Sequence, residues 1–120
     1  MTAVGNTRQA LQLWRDVLAH MIRDDRPDLT ARQLAIVLTV YLGTPPHTVR
    51  GLSTGLSMPK PAVTRALDAL VRQGLVKRAR DEKDKRNVLV QRTVKGSIFL
   101  SDFGETVLSK QSGLYQEETP

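Results

Sequence analysis

In "DEKDKRN", residues 81–87, the cations Lys83, Lys85 and Arg86 are interleaved with Asp81, Glu82 and Asp84, and there is almost no apolar content. A second polar set lies upstream in "KPAVTRALDALVR", where Lys60, Thr64, Arg65, Asp68 and Arg72 fall on one side of a helical wheel. The chemistry these residues offer is recognition of negative charge. A guanidinium presents a planar fork of donors that fits phosphate oxygens or the O6 and N7 atoms of guanine. An ammonium meets phosphate as a point charge, and a threonine hydroxyl can bond a base or a phosphate.

The charge distribution agrees. The 120 residues carry 18 basic and 12 acidic side chains, a net charge of +6. Residues 60–92 hold ten of the basic and four of the acidic ones, so the rest of the chain is balanced at eight of each. Solubility alone would not require such clustering; it is the electrostatic footprint of a polyanion binder.

Other chemistries fit poorly. There is no cysteine, which excludes disulfides, thiolate metal sites and cysteine nucleophiles. His20 lies near the apolar stripe of a first helix and reads as a packed or interface residue, and His47 reads as a loop residue. Two distant histidines without cysteine make a poor zinc site. "DDRPD" reads as the end of a helix rather than a metal-binding carboxylate cluster. No serine–histidine–acid set, phosphate loop or paired-carboxylate motif occurs in a supporting context. The expectation is a protein that is not an enzyme and uses no metal or cofactor. The longest apolar run, "LAIVLTVYL", is about half of the ~18–20 residues a membrane span needs, and the N-terminus has no basic-then-apolar leader. A cytoplasmic protein with no membrane role is expected.

The polar sets need elements to hold them, and the length suits one domain over residues 1–120. "RQALQLWRDVLAHMIRDD" carries Leu11, Trp14, Leu18, Met21 and Ile22 at helical spacing, with Val17 beside them, and predicts a helix over 7–25 ended by Pro27. Thr30 and Gln33 form a capping box for a second helix to about Leu42, with Gly43 placed to end it. Thr48 caps a short third helix bearing Val49, Leu52 and Leu56. A turn around Gly55–Met58 leads to a fourth helix, 60–73, with Val63, Leu67, Leu70 and Val71 as its apolar stripe. Pro59 and Pro61 must lie at or before its first turn, and Gly74 stops it. "LVKRAR" and "NVLVQRTV" then read as a hairpin spanning 75–92, with the charged knot at its tip. Thr93 caps a last helix over 97–112, whose continuity Gly96 and Gly104 weaken; residues 113–120 read as a disordered tail. The fold class is therefore mainly α with a small β-hairpin, a winged helix-turn-helix whose core is 29–96. That layout serves DNA, because a helix fits the major groove and its early residues reach base edges.

The stretch "LTARQLAIVLTVYL", followed by "LSMPKPAVTRALDALVRQGLVKRARDEKDKRNVLVQRTVKG", resembles the DNA-binding domain of MarR-type transcriptional regulators. The likeness runs from about Leu29 to Gly96. It rests on a threonine–arginine pair, a leucine-rich helix, Gly-Leu-Val, a basic strand and an aspartate–lysine–arginine wing tip, all in register. The resemblance implies a double-stranded DNA binder, usually a homodimer on a near-palindromic operator and more often a repressor. It implies recognition-helix contacts at Lys60, Ala62, Val63, Thr64 and Arg65, with Arg72 on the same face. It makes Arg86 a minor-groove arginine held by an ion pair to Asp84, with Lys83 and Lys85 left for phosphates. A dimer contact would draw on Leu11, Trp14, Leu18, Met21, Phe99 and Phe103; a small-molecule effector is left open. Family members are usually longer, with a final pair of long helices that interlock with the N-terminal helix to form the dimer; only 24 residues follow Gly96, so the last helix of that pair is expected to be missing or very short. Arg50, Arg78 and Arg80 read as solvated or as general phosphate contacts. Asp81 and Glu82 would repel DNA and are assigned to the turn. Two other functions remain open from the residues alone: a winged-helix module that binds an acidic protein, and a non-specific architectural DNA binder.

Overall fold

The computed structural model describes residues 5–118. Its elements are α1 (Thr7–Arg23), α2 (Ala31–Leu42), β1 (His47–Thr48), α3 (Val49–Leu56), α4 (Lys60–Arg72), β2 (Val76–Arg80), β3 (Val88–Arg92) and α5 (Val94–Glu118). Where the length suggests one domain, the contacts group into two compact units. One is Leu29–Leu100; the other is built from residues before Leu29 and after Leu100.

The first unit is the winged helix. Thr30 accepts from the Gln33 backbone N–H while the Gln33 side chain accepts from the Thr30 N–H, so the capping box starts α2. Thr48 caps α3 through the Gly51 N–H. Its core is aliphatic: Ile36, Val37 and Val40 of α2, Leu52 of α3, Val63, Ala66, Leu67 and Leu70 of α4, then Leu75, Val76 and Val90. Each large side chain of this set removed from water contributes about 1.5–3 kcal/mol. The α3–α4 turn is tighter than the sequence suggests. Gly55 lies inside α3, and the left-handed residue is Ser57 (φ 53°). Met58 N–H closes the turn on the Ser53 carbonyl at 3.0 Å. Gly74 (φ 76°) ends α4 in a Schellman arrangement, with Leu75 N–H donating to Leu70 O at 3.0 Å.

The hairpin gains a strand that periodicity does not show. β1 pairs with β3 (His47 opposite Val90), so the antiparallel order is β1-β3-β2. His47 is thus a strand residue rather than a loop residue. Two residues carry no alternation pattern, and only pairing with a distant strand defines them.

In the second unit, Asn6 and Gln9 form the capping box that starts α1. "DDRPD" is its end: Asp25 takes the left-handed conformation (φ 53°) and Arg26 N–H donates to Met21 O at 3.1 Å. Arg26 then donates from Nη1 to Thr106 Oγ1 of α5 at 3.1 Å.

The last helix departs most from expectation. It begins at Val94, with Thr93 as its cap, and runs 25 residues to Glu118, past Gly104 and Gly113, where a helix over 97–112 and a disordered tail from residue 113 are expected. Each glycine costs about 1 kcal/mol relative to alanine. Against that stand the Thr93 cap and a buried stripe of Gly96, Phe99, Phe103 and Thr106 at helical spacing. Ile98 and Leu108 lie outside that stripe and are exposed. Residues 119 and 120 of the expected tail lie outside the described residues.

Candidate nucleic-acid interface

The charged wing tip is built by its own carboxylates. Asp81 Oδ1 accepts from the backbone N–H of Lys83 (3.0 Å) and of Asp84 (3.3 Å), and its Oδ2 accepts from Asn87 Nδ2 at 3.4 Å. Asp81 therefore organises the turn, which explains an acidic residue on a basic face. Asp84 grips Arg86 in a fork. Its Oδ1 accepts from Arg86 Nε at 3.0 Å and from the Arg86 backbone N–H at 3.1 Å, and its Oδ2 accepts from Nη2 at 3.1 Å. The Arg86 side chain remains largely exposed at the tip, aimed by a carboxylate rather than covered.

That fork holds the Asp84 carboxyl below the usual carboxylate range, chiefly through the Arg86 side chain and next through its backbone N–H, and it raises Arg86 in turn. A depressed carboxyl contributes its ordering above the unfolded-state value of about 3.9 and loses it only as pH falls through the lower folded value. The geometry of the pair is therefore expected to stay constant from about pH 5 to 8. Carbon-13 titration of the Asp84 carboxyl checks this; a midpoint at or above that of a free aspartate would contradict it.

α4 presents the other set. Lys60, Thr64, Arg65 and Arg72 are exposed, and Ala62 is partly exposed. Val63 is a correction: it is 0% exposed and belongs to the core, because the stripe that buries Ala66, Leu67 and Leu70 passes through it. The start of α4 is poor in free backbone donors. Pro61 has none, and the N–H groups of Ala62 and Val63 both bond Pro59 O, at 2.9 and 3.1 Å. What this end of the helix exposes is therefore mainly the Lys60 side chain rather than free backbone N–H groups.

Wing and helix meet in a cleft of about 230 Å³ lined by Val49, Arg50, Lys60, Thr64, Arg78, Arg86, Asn87 and Val88. Lys60, Thr64 and Arg86, from two separate stretches of sequence, open onto the same space. Arg50 and Arg78 join them although the sequence gives them no special place; only the folded proximity of α3, α4 and β2 marks them. Arg65, Arg72, Lys83 and Lys85 do not line the cleft.

Of the residues assigned to a dimer contact, Leu11, Trp14 and Leu18 are exposed on α1. Met21, Phe99 and Phe103 are buried within the chain itself, so they serve its core. Among the described residues no group of three or more His, Cys, Asp or Glu could hold a metal ion.

A helix-turn-helix followed directly by a basic hairpin, with α4 and the hairpin opening onto one cleft, defines a winged-helix protein. Residues 27–87 match the sequence profile of the MarR family, and the chain belongs to that family. Solved structures show the same fold. A point mutant of MepR from S. aureus superposes with a TM-score of 0.74 at 18% identity, covering 90% of this chain and 77% of that one. The transcriptional repressor CouR bound to a 23-mer DNA duplex gives 0.71 at 25% identity, covering 93% and 76%. A cysteine-to-serine mutant of MarR from E. coli, complexed with operator DNA, gives 0.66 at 28% identity, covering 93% and 72%. No curated protein sequence is a significant match.

Proposed function

We propose that this protein is a sequence-specific, double-stranded DNA-binding regulator of transcription. It acts as a homodimer in the cytoplasm and represses where its operator overlaps a promoter. α4 enters the major groove, with Arg65 and Thr64 at base edges and Lys60 and Arg72 at phosphates. The wing lies along the flanking minor groove, where Arg86 meets the concentrated negative potential of a narrow groove. Two copies place their reading helices about 34 Å apart. The observation that carries this reading is the shared cleft: the start of α4 and the Asp84-aimed Arg86 converge on one basic surface. Two structural relatives were captured on DNA, which supports it. Among the described residues no helix is long and apolar enough to cross a membrane.

Selection of duplexes from a random pool tests it. Enrichment of a near-palindromic site is expected. Retention without sequence preference would point to an architectural binder, and no retention of any duplex to a protein-binding module. On the enriched site, Arg65→Ala is expected to cost about 1–3 kcal/mol and to relax preference at one base position. Lys83→Ala should weaken all sequences alike and lower the salt slope by roughly one.

A further inference from the structure

Arg78 lies in the middle of β2, opposite Val90 of β3, but its side chain works outside the wing. Its Nη2 donates to the Asp68 carboxylate and, at 3.3 Å, to the Thr64 carbonyl. Both acceptors are on α4, one helical turn apart, and Thr64 is on the face assigned to DNA. One guanidinium therefore ties the wing to the helix across sequence separations of 10 and 14 residues.

We propose that Arg78 is a positioning residue that holds the wing at a fixed angle to α4, so that docking of α4 in the major groove and entry of Arg86 into the minor groove occur as one event. The proposal rests on the DNA-binding reading above. The covalent link between α4 and the wing is only Gln73–Leu75, and the tip lies about 17 Å from the base of β2 at ~3.3 Å per residue. A tilt of about 10° at the base would move the tip by roughly 3 Å over that lever, enough to break a hydrogen bond. Exposed ion pairs contribute little to stability. Arg78 therefore matters for the placement of Arg86 more than for the fold.

The rival is that Arg78 binds a phosphate directly and Asp68 is merely its resting counter-ion. The two readings give opposite signs for Asp68→Asn. Removing a negative charge from a DNA-facing surface should strengthen binding if Arg78 is a phosphate ligand. If Arg78 is a strut, binding to the selected duplex should weaken, by about five- to tenfold, despite the gain in charge. Arg78→Lys separates them again. It keeps the charge but loses the planar fork, so a strut loses affinity while a phosphate contact largely keeps it.

The experiment measures affinity of the full chain for the selected duplex across Asp68→Asn, Arg78→Lys, Arg86→Ala and the Arg78→Lys/Arg86→Ala pair. Urea unfolding of each variant confirms an unchanged fold. The expected result is weaker binding by Asp68→Asn and by Arg78→Lys, and a smaller cost of Arg86→Ala once Arg78 is lysine. Unchanged or tighter binding by Asp68→Asn, or losses at Arg78 and Arg86 that simply multiply, would overturn the strut while leaving the DNA reading intact. A wild-type protein that retains no duplex would overturn both.

Discussion

Gly96→Ala is expected to destabilise the winged helix by about 2–4 kcal/mol, although it replaces a helical glycine by the best helix former. A Cβ at this position would stand 1.9 Å from the Tyr41 hydroxyl and 2.2 Å from the Leu75 carbonyl oxygen. The hydroxyl has no room to yield. It accepts from the Thr93 N–H at 2.9 Å and donates to Leu75 O at 2.8 Å, so it joins α2 to both ends of the wing. The Tyr41 ring is held in turn by Arg92, whose guanidinium carbon lies 5.7 Å from its centroid while Nε bonds Val40 O and Nη2 bonds Gly43 O, each at 3.0 Å. Inserting a methyl therefore forces either backbone movement at Leu75 or loss of the tyrosine's bonds. Each lost bond costs about 1 kcal/mol and overpacking about 1–3, against a helix-propensity gain of about 1. Gly104 in the same helix is the control. Nothing lies within 4 Å of its added Cβ, so Gly104→Ala should stabilise by about 0.5–1 kcal/mol. Urea midpoints of the two variants, moving in opposite directions, check the account; equal shifts would refute it.

The contrast between these glycines marks how far the sequence can be read. Local rules carry most of the elements. Thr30 with Gln33, Thr48, Thr93 and Gly74 each announce a boundary through one residue's hydrogen bonding or its tolerance of positive φ. The wing tip is also legible, because Asp81, Asp84 and Arg86 bond within six residues of one another. Tertiary proximity is what the sequence hides. Gly96 reads as a weak point in a helix, yet it is needed because a tyrosine 55 positions away fills the space beside it. β1 exists only through pairing with β3. Arg78 looks like any basic strand residue until α4 is placed against it. Family likeness makes Val63 a DNA contact, but the α4 stripe that runs through it assigns it to the core. α1 is the clearest ambiguity. Its apolar residues outnumber what one buried face needs, and periodicity cannot say which of them face this chain's own core.

Leu18→Glu follows from that division of α1 and is expected to abolish the proposed homodimer. The fold buries Val17 and Met21 and leaves Leu11, Trp14, Leu18 and Ile22 exposed by 65, 52, 50 and 79%. These four recur at helical spacing and form a second apolar face, of the kind that marks a protein–protein contact. If two copies meet there about a twofold axis, a single substitution places two carboxylates in the seam. Each would have to lose its hydration without a partner, at a cost of several kcal/mol. A protomer released from the proposed pair would read one half-site alone. Affinity for a palindromic operator should then fall by about 10²–10⁴-fold, because the second reading helix no longer benefits from the effective concentration that the first provides. Affinity for an isolated half-site should persist, since Leu18 is not part of the protomer's core. The same charge at Met21 should behave differently: that side chain is buried, so Met21→Glu should lower the unfolding midpoint instead of producing a folded monomer. Light scattering of both variants beside operator and half-site titrations separates the outcomes. A wild-type monomer at working concentration would overturn the homodimer, and a Leu18→Glu protein that remains dimeric with full operator affinity would move the seam off this face of α1.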